Sequence, residues 1–518
     1  MKRREFLRHA CHTMAVPGLM STIGLNQVNG QSLQRFLQLA AETDRVLVMI
    51  FLEGGNDGLN TVVPLNHLSE LNSVRPHVIL PDNSLHELAG AEVGLHPALD
   101  GLASLYKENR LQIIQSVGYE NQNYSHFRST DIWMSGSDST EVIPSGWSGR
   151  FLDQTFPGYP EVYPTDTMKD PLSVEIGFGS SLLFQGPNAS MSMTMSNPES
   201  FYNLIENRDD PAPDTPAGDR LQYVRLIARQ SQQYGEVVKS AAEKVNNQLA
   251  YPETDLANQL KIVSRLIAGG LKTPMYMVRL GGFDTHDAQV EDGDHTTGEH
   301  ATLLKTLNDA IMAFMADMEH LQIADRVLGM TFSEFGRRIV SNASLGTDHG
   351  SAAPMFFFGN HLNGGVLGQN PNIHTGQTYE DNLEMQYDYR QLYASVLDQW
   401  FGADSSVLNA TLYRGYDTLP IISDGVLNAP QTSGSFAEPL LFPNPVKEYA
   451  TLSFSVRHNP VSVSMMSIDG RLIRKMHRGS FPLGTNRLSI DVRGLRTGQY
   501  LLVMTDGRNK QALNLIKS

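Results

Sequence analysis

Cysteine is nearly absent: Cys11 is the only thiol in 518 residues. The chain therefore has no internal disulfide and no cysteine-rich zinc site. Positive charge is scarce as well, with 40 Lys and Arg against 55 Asp and Glu and a formal charge of -15. That balance argues against a nucleic-acid surface, because polyanion binders need clustered Lys and Arg to displace counterions. No apolar run after residue 30 is long enough to span a bilayer. What is present is 41% hydrophobic content over a length that calls for two or more domains, one of them large.

The N-terminus, MKRREFLRHACHTMAVPGLMSTIGLNQ, sets Lys2-Arg3-Arg4 before Phe6 and Leu7 and follows them with a modestly apolar segment. It resembles a twin-arginine export signal over residues 1–30, a route that carries folded proteins, often with a metal already loaded. From about residue 43 to 423, strand-like apolar runs alternate with helical periodicity, which implies an α/β layered domain. Strands are expected at Val46 to Leu52, Leu111 to Val117, Met275 to Leu280, Val327 to Phe332 and Met355 to Phe358. Helices are expected at Ala98 to Glu108, Arg220 to Leu249, Leu256 to Leu271, His300 to His320 and Tyr389 to Phe401. The stretch from Gly136 to Pro216 is rich in Pro, Ser, Gly and Asp and reads as an irregular insertion or cap.

Residues 424–440 have linker composition, and residues 441–518 carry short alternating segments between polar turns, as in a small β-sandwich. The pieces FPNPV, SIDGRLIRKM, LSIDVRGLRTGQYLLVM and the terminal NLIKS are similar to the type A C-terminal sorting domain of the type IX secretion system of Bacteroidetes. The resemblance implies transit through the periplasm to the cell surface or the medium, with the export and type IX secretion machinery as partners.

Within the α/β region, polar clusters flank the apolar runs. In open α/β sheets functional groups gather beyond the carboxyl ends of strands. The clusters are Glu53 to Gly58, the GYENQNYSHFRSTDIW stretch containing Ser125, Gly281 to Asp287, Ser333 to Arg338, and Gly346 to Gly350 beside the run PMFFF. Asp57, Asp284 and Glu334 offer carboxylates and His286 and His349 offer imidazole nitrogens, a set suited to Zn, Mn, Mg or Ca according to geometry. Ser125 stands where a helix begins and would serve as nucleophile. Each has a plainer role: a turn former for Asp57, a helix cap for Asp284 and Ser125, a surface position for His286, an ion pair to Arg337 or Arg338 for Glu334, and a polar turn for Asp348-His349. His96, His295 and His300 are left outside the site.

Taken together, FLEGGNDGLNTVVP, LHPAL, SHFRSTDIW, GWSGRFLD, GGFDTHD, TFSEFGRR and GTDHGSAAPMFFFG resemble, in order, the family catalogued as domain of unknown function 1501. That resemblance implies an alkaline-phosphatase-like three-layer sandwich with a mainly parallel central sheet. It also implies two metals and a nucleophile at the sheet edge, in the manner of alkaline phosphatases and sulfatases. Asp57, Asp284, His286, Glu334 and His349 match metal-ligand positions and Ser125 the nucleophile. Phe335 stands where a histidine ligand is usual, so one nitrogen is missing. No Cys or Ser lies in a C/S-x-P-x-R context around Ser125, which disfavours a formylglycine sulfatase. The expected function is a metal-dependent hydrolase of phosphate or related anionic esters, and the alternative is a surface protein binding a glycan, lipid or partner with a structural or degenerate metal site.

Overall fold

The computed structural model describes residues 44–196, 233–423 and 436–517 apart from a few short internal gaps. The twin-arginine segment, most of the linker and residues 220–232 of the helix expected from Arg220 to Leu249 lie outside the described residues; 233–244 are helical, and the helix ends at Lys244, short of the expected Leu249. The chain divides into two units, Met1–Leu427 and Asn428–Ser518.

The first unit is built on a nine-stranded, mostly parallel sheet. Its strands are β1 (Val46–Glu53), β2 (Leu111–Gly118), β3 (Ser173–Ile176), β4 (Ser192–Met195), β5 (Met275–Gly281), β6 (Val327–Phe332), β7 (Ala353–Gly359), β8 (Gly365–Leu367) and β9 (Tyr387–Asp388). The order is β8-β2-β7-β6-β1-β5-β3-β4, with β9 also on β2. β1 reads as an unbroken apolar run because both its faces are covered. Val46, Val48, Ile50 and Leu52 point into one core, and Leu47, Met49 and Phe51 into another. Helices α1 (Asp100–Lys107), α4 (Asp255–Ala268) and α5 (Glu299–His320) pack their apolar faces into the first core. Helices α2 (His126–Ser135), α3 (Trp147–Thr155) and α6 (Tyr389–Ser395) cover the second. The expected three layers are therefore present.

Two features depart from expectation. The stretch read as an irregular cap contributes β3 and β4, which extend the sheet in parallel beyond β5. β7 runs antiparallel to both β2 and β6. Its start therefore lies at the edge where β1, β2, β5 and β6 end, which is why the Asp348-His349 cluster precedes its strand while the others follow theirs.

The second unit contains seven strands, β10 (Phe436–Phe442), β11 (Tyr449–Val456), β12 (Val461–Ser467), β13 (Leu472–Gly479), β14 (Gly484–Asp491), β15 (Gly498–Thr505) and β16 (Lys510–Lys517). They form two antiparallel sheets, β10-β11-β14 and β13-β12-β15-β16. Leu452 and Phe454 from one and Val463, Met465, Leu502 and Met504 from the other share a single core.

Candidate metal centre

Three histidines meet beside Asp284, and each is anchored from behind. His126 opens α2, and its Nδ1 lies 2.8 Å from Oε1 of Glu334. Nδ1 of His286 lies 2.5 Å from Oδ1 of Asp348, and Nδ1 of His349 lies 2.8 Å from the Tyr124 carbonyl. A carboxylate or carbonyl only accepts, so each Nδ1 is assigned the proton and each Nε2 is left with its lone pair. The Nε2 atoms turn toward one another and toward Asp284. Those of His286 and His349 are 2.9 Å apart, and each is 3.1 Å from Oδ1 of Asp284. Nε2 of His126 is 3.3 Å from Oδ2 of Asp284 and makes no hydrogen bond among the described residues.

Lone pairs facing lone pairs repel unless something positive lies between them. The arrangement of three imidazoles, each held by a hydrogen bond at its far nitrogen, is the one that orients histidines toward a metal. Among the described residues, His126, Asp284 and His349 can each bring one donor atom within 4.8 Å of the others. His286 adjoins this group. The donor set fits a divalent cation, and Asp284 is half-exposed, so the group faces solvent.

The local backbone explains the convergence. Gly54 and Gly55, at the end of β1, take φ of +124° and +86°. A Cβ on Gly54 would meet the Asp284 amide at 2.4 Å, and one on Gly55 would meet the Phe335 ring at 2.4 Å. The Gly-Gly turn therefore lets the Asp284 loop and Phe335 close onto the strand end. Glu334 is fully buried, accepting also from the Gly54 amide at 2.9 Å and the Ser333 hydroxyl at 3.2 Å. It pairs with neither Arg337 nor Arg338. Arg337 instead donates to Oδ1 of Asp284 at 2.8 Å.

The charges shift accordingly. Burial works against the Asp284 carboxylate, but the hydrogen bond and positive charge of Arg337 hold it down at about 2. The hydrogen bond to Glu334 raises His126, while partial burial lowers His349. Burial opposes ionisation of Asp348, and the hydrogen bonds from Tyr379 and His286 reverse this and lower it.

Of the expected site residues, Asp284, His286 and His349 are brought together, with Glu334 directly behind His126. Asp57 is placed differently. It is buried, and its Oδ2 is bonded by Arg75 and, at 2.6 Å, by Gln289 Nε2. Ser125 is exposed at the start of α2 and makes no side-chain cap to the helix. The residue that sequence reasoning passed over is His126. Its signal lay in a histidine opening a helix just after a strand, in a chain whose strand-end acid is followed by phenylalanine where histidine is usual. His96 and His300 are buried in the interior, His300 bonding Asn56 at 2.9 Å and His96 accepting from the Ala98 amide at 3.0 Å.

No curated protein matches the chain. Among solved structures it is similar to a protein in the alkaline phosphatase superfamily from Vibrio parahaemolyticus, with 10% identity, a TM-score of 0.34, and coverage of 94% of this chain and 91% of that one. It is also similar to a sulfatase from Pseudoalteromonas sp. (9% identity, TM-score 0.31, covering 92% and 86%) and to a phosphonate monoester hydrolase from Silicibacter pomeroyi (10%, 0.28, covering 92% and 89%). Likenesses this distant do not bear on activity. The C-terminal match indicates export to the cell surface or beyond, and among the described residues no helix is long and apolar enough to cross a membrane. Residues 205–412 match the family described as protein of unknown function (DUF1501), and residues 440–518 match the secretion system C-terminal sorting domain.

Proposed function

We propose that the chain is an exported, metal-dependent hydrolase of phosphate or related anionic esters. The observation that carries this reading is the convergence of three Nε2 atoms on Asp284, each imidazole held by an acceptor at Nδ1. His126, Asp284, His286 and His349 would hold the ion, with Glu334 and Asp348 orienting the rings. Three imidazoles with one carboxylate suit Zn better than Mg or Ca. A bound divalent ion would supply Lewis acidity and lower the pKa of a coordinated hydroxyl or water.

The chain's own groups complete the reading. Ser125 directly precedes His126, and its exposed hydroxyl is not tied up in capping the helix, which suits it to attack. The first turn of the ten-residue α2 presents unpaired backbone N–H groups beside it, favourable to an anion. Arg337 adds a fixed positive charge against Asp284.

The test is metal content and turnover of the full chain on an aryl phosphate and a phosphodiester. The expected result is bound divalent metal and cleavage, both lost in His126→Ala and His349→Ala, with cleavage alone lost in Ser125→Ala. Full metal content and activity in both histidine variants would end the proposal. A second reading, a non-catalytic binding protein with a structural ion, draws support from Asp57, whose carboxylate is engaged by Arg75. It predicts bound metal with no turnover on any ester.

A further inference from the structure

We propose that this centre takes one divalent ion, because two buried arginines hold permanent positive charge where a two-ion site would need its second. The inference rests on the metal reading above and concerns how many ions that reading allows.

Asp57, at the turn after β1, is the carboxylate a second ion would need. Among the described residues, both groups that bond its Oδ2 present a hydrogen. Arg75, fully buried, gives it one Nη2 hydrogen while its Nη1 bonds the carbonyls of Arg338 and Ile339, each at 2.9 Å. Gln289 gives it the amide NH2 at 2.6 Å. That amide cannot turn its oxygen around at low cost, because the hydroxyls of Thr347 and Thr285 donate to Oε1 at 2.6 and 3.3 Å. Oδ1 of Asp57 has no hydrogen-bond partner among the described residues. One such oxygen is satisfied by a buried water, whereas a divalent ion needs several lone pairs together, and Arg75 and Gln289 turn hydrogens toward this carboxylate.

Arg337 makes the same point from the other side. It is 1% exposed. Its Nε donates to the Gly55 carbonyl at 2.7 Å, Nη1 to Thr347 at 2.8 Å, and Nη2 to the carbonyls of Gly54 and Phe283 and to Oδ1 of Asp284. The guanidinium thus links the turn that leads into Asp57 with the carboxylate that would hold the first ion. A guanidinium does not deprotonate in proteins, so this charge stays whatever the metal loading and repels a second cation between the two carboxylates.

The experiment is a count. The full chain is stripped with chelator, loaded with Zn2+ or with Mn2+, exchanged into metal-free buffer, and its metal-to-protein ratio is measured by elemental analysis. One ion per chain is expected in the unmodified protein and in Asp57→Asn, falling at least tenfold in His126→Ala and His349→Ala. Two ions in the unmodified chain would overturn this inference and leave the metal reading intact. None would overturn both. Asp57→Asn leaves Arg75 without its carboxylate, so the paired variant Asp57→Leu with Arg75→Leu, checked for folding by circular dichroism, provides the second test. Loss of the ion from a folded Asp57 variant would likewise overturn the inference.

Discussion

Oε1 of Glu334 accepts from both His126 Nδ1, at 2.8 Å, and the Gly54 amide, at 2.9 Å, so one buried carboxylate oxygen fixes a ring and a turn together. If His126 is a ligand, Glu334 sets both its tautomer and its aim. Acceptors in this position change metal affinity by about 10- to 100-fold. Glu334→Gln, which keeps the volume but removes the charge, is therefore expected to weaken metal binding by roughly 10-fold or more, as read by competition with a chromogenic chelator. Unchanged affinity would leave Glu334 only the task of holding Gly54.

Acid stability depends on a different pair. Burial lowers His96 to about 3 and His300 to about 4 from 6.5, and the neighbouring His300 further disfavours charge on His96. Between those values and 6.5 the unfolded chain binds more protons than the folded one, so stability rises with pH there. The contribution is complete above about pH 6.5 and is lost as pH falls toward 4. Each histidine costs the fold about 1.4 kcal/mol per pH unit in that window. The melting temperature of the α/β unit is expected to fall steadily from pH 6.5 to 5, and less steeply in His300→Asn. A flat profile would mean that these rings are already charged in the fold.

How much of this was legible in the sequence follows from range. β1, β2, β5, β6 and β7 were readable because strands buried on both faces are continuous apolar runs, and their ends mark the sheet edge. β3 and β4, SVEI and SMTM, are four residues each and sit among Pro, Ser and Gly, so local composition hid strands that exist through pairing beyond β5. The reversal of β7 is likewise a matter of partners distant in the chain. That Asp284, His286 and His349 would meet could be read because each lies in a Gly-rich polar cluster beside a strand. His126 could not be weighed in the same way, since its value depends on Glu334, 208 residues later. Asp57 was expected as a ligand for want of any local sign that Arg75 reaches it.

The Gly-Gly turn offers a test of architecture. Gly54 holds φ at +124° with the Asp284 amide 2.4 Å from where a Cβ would stand, so Gly54→Ala meets both backbone strain and a backbone clash. Strain of this kind costs on the order of 1–3 kcal/mol before the clash is added. The expected result is a lower denaturation midpoint for the α/β unit and weaker metal binding, since the loop carrying Asp284 must move. Gly90→Ala is the control, because it has a positive φ of +81° but nothing within 4 Å. It should lose stability by the strain alone and keep its metal.

Charge balance leads to a preference among substrates. Asp284, Glu334 and Asp348 bring three carboxylates to the cluster, and Arg337 with one divalent ion would cancel them. A neutral centre draws in a singly charged ester less strongly than a net positive one would, and it has no surplus at all to neutralise a second charge brought in from water. Desolvating that extra charge without a partner is costly. The full chain is therefore expected to cleave a monoanionic diester with a kcat/KM roughly 10-fold or more above that for the dianionic monoester of the same leaving group, about 1.4 kcal/mol in the transition state. Replacing Arg337 would unfold the turn, so the charge is better altered at Asp348. Asp348→Asn removes one negative charge behind His286 and should narrow the ratio by improving the monoester relative to the diester. A ratio that favours the monoester in the unmodified chain would require a second cation at the site.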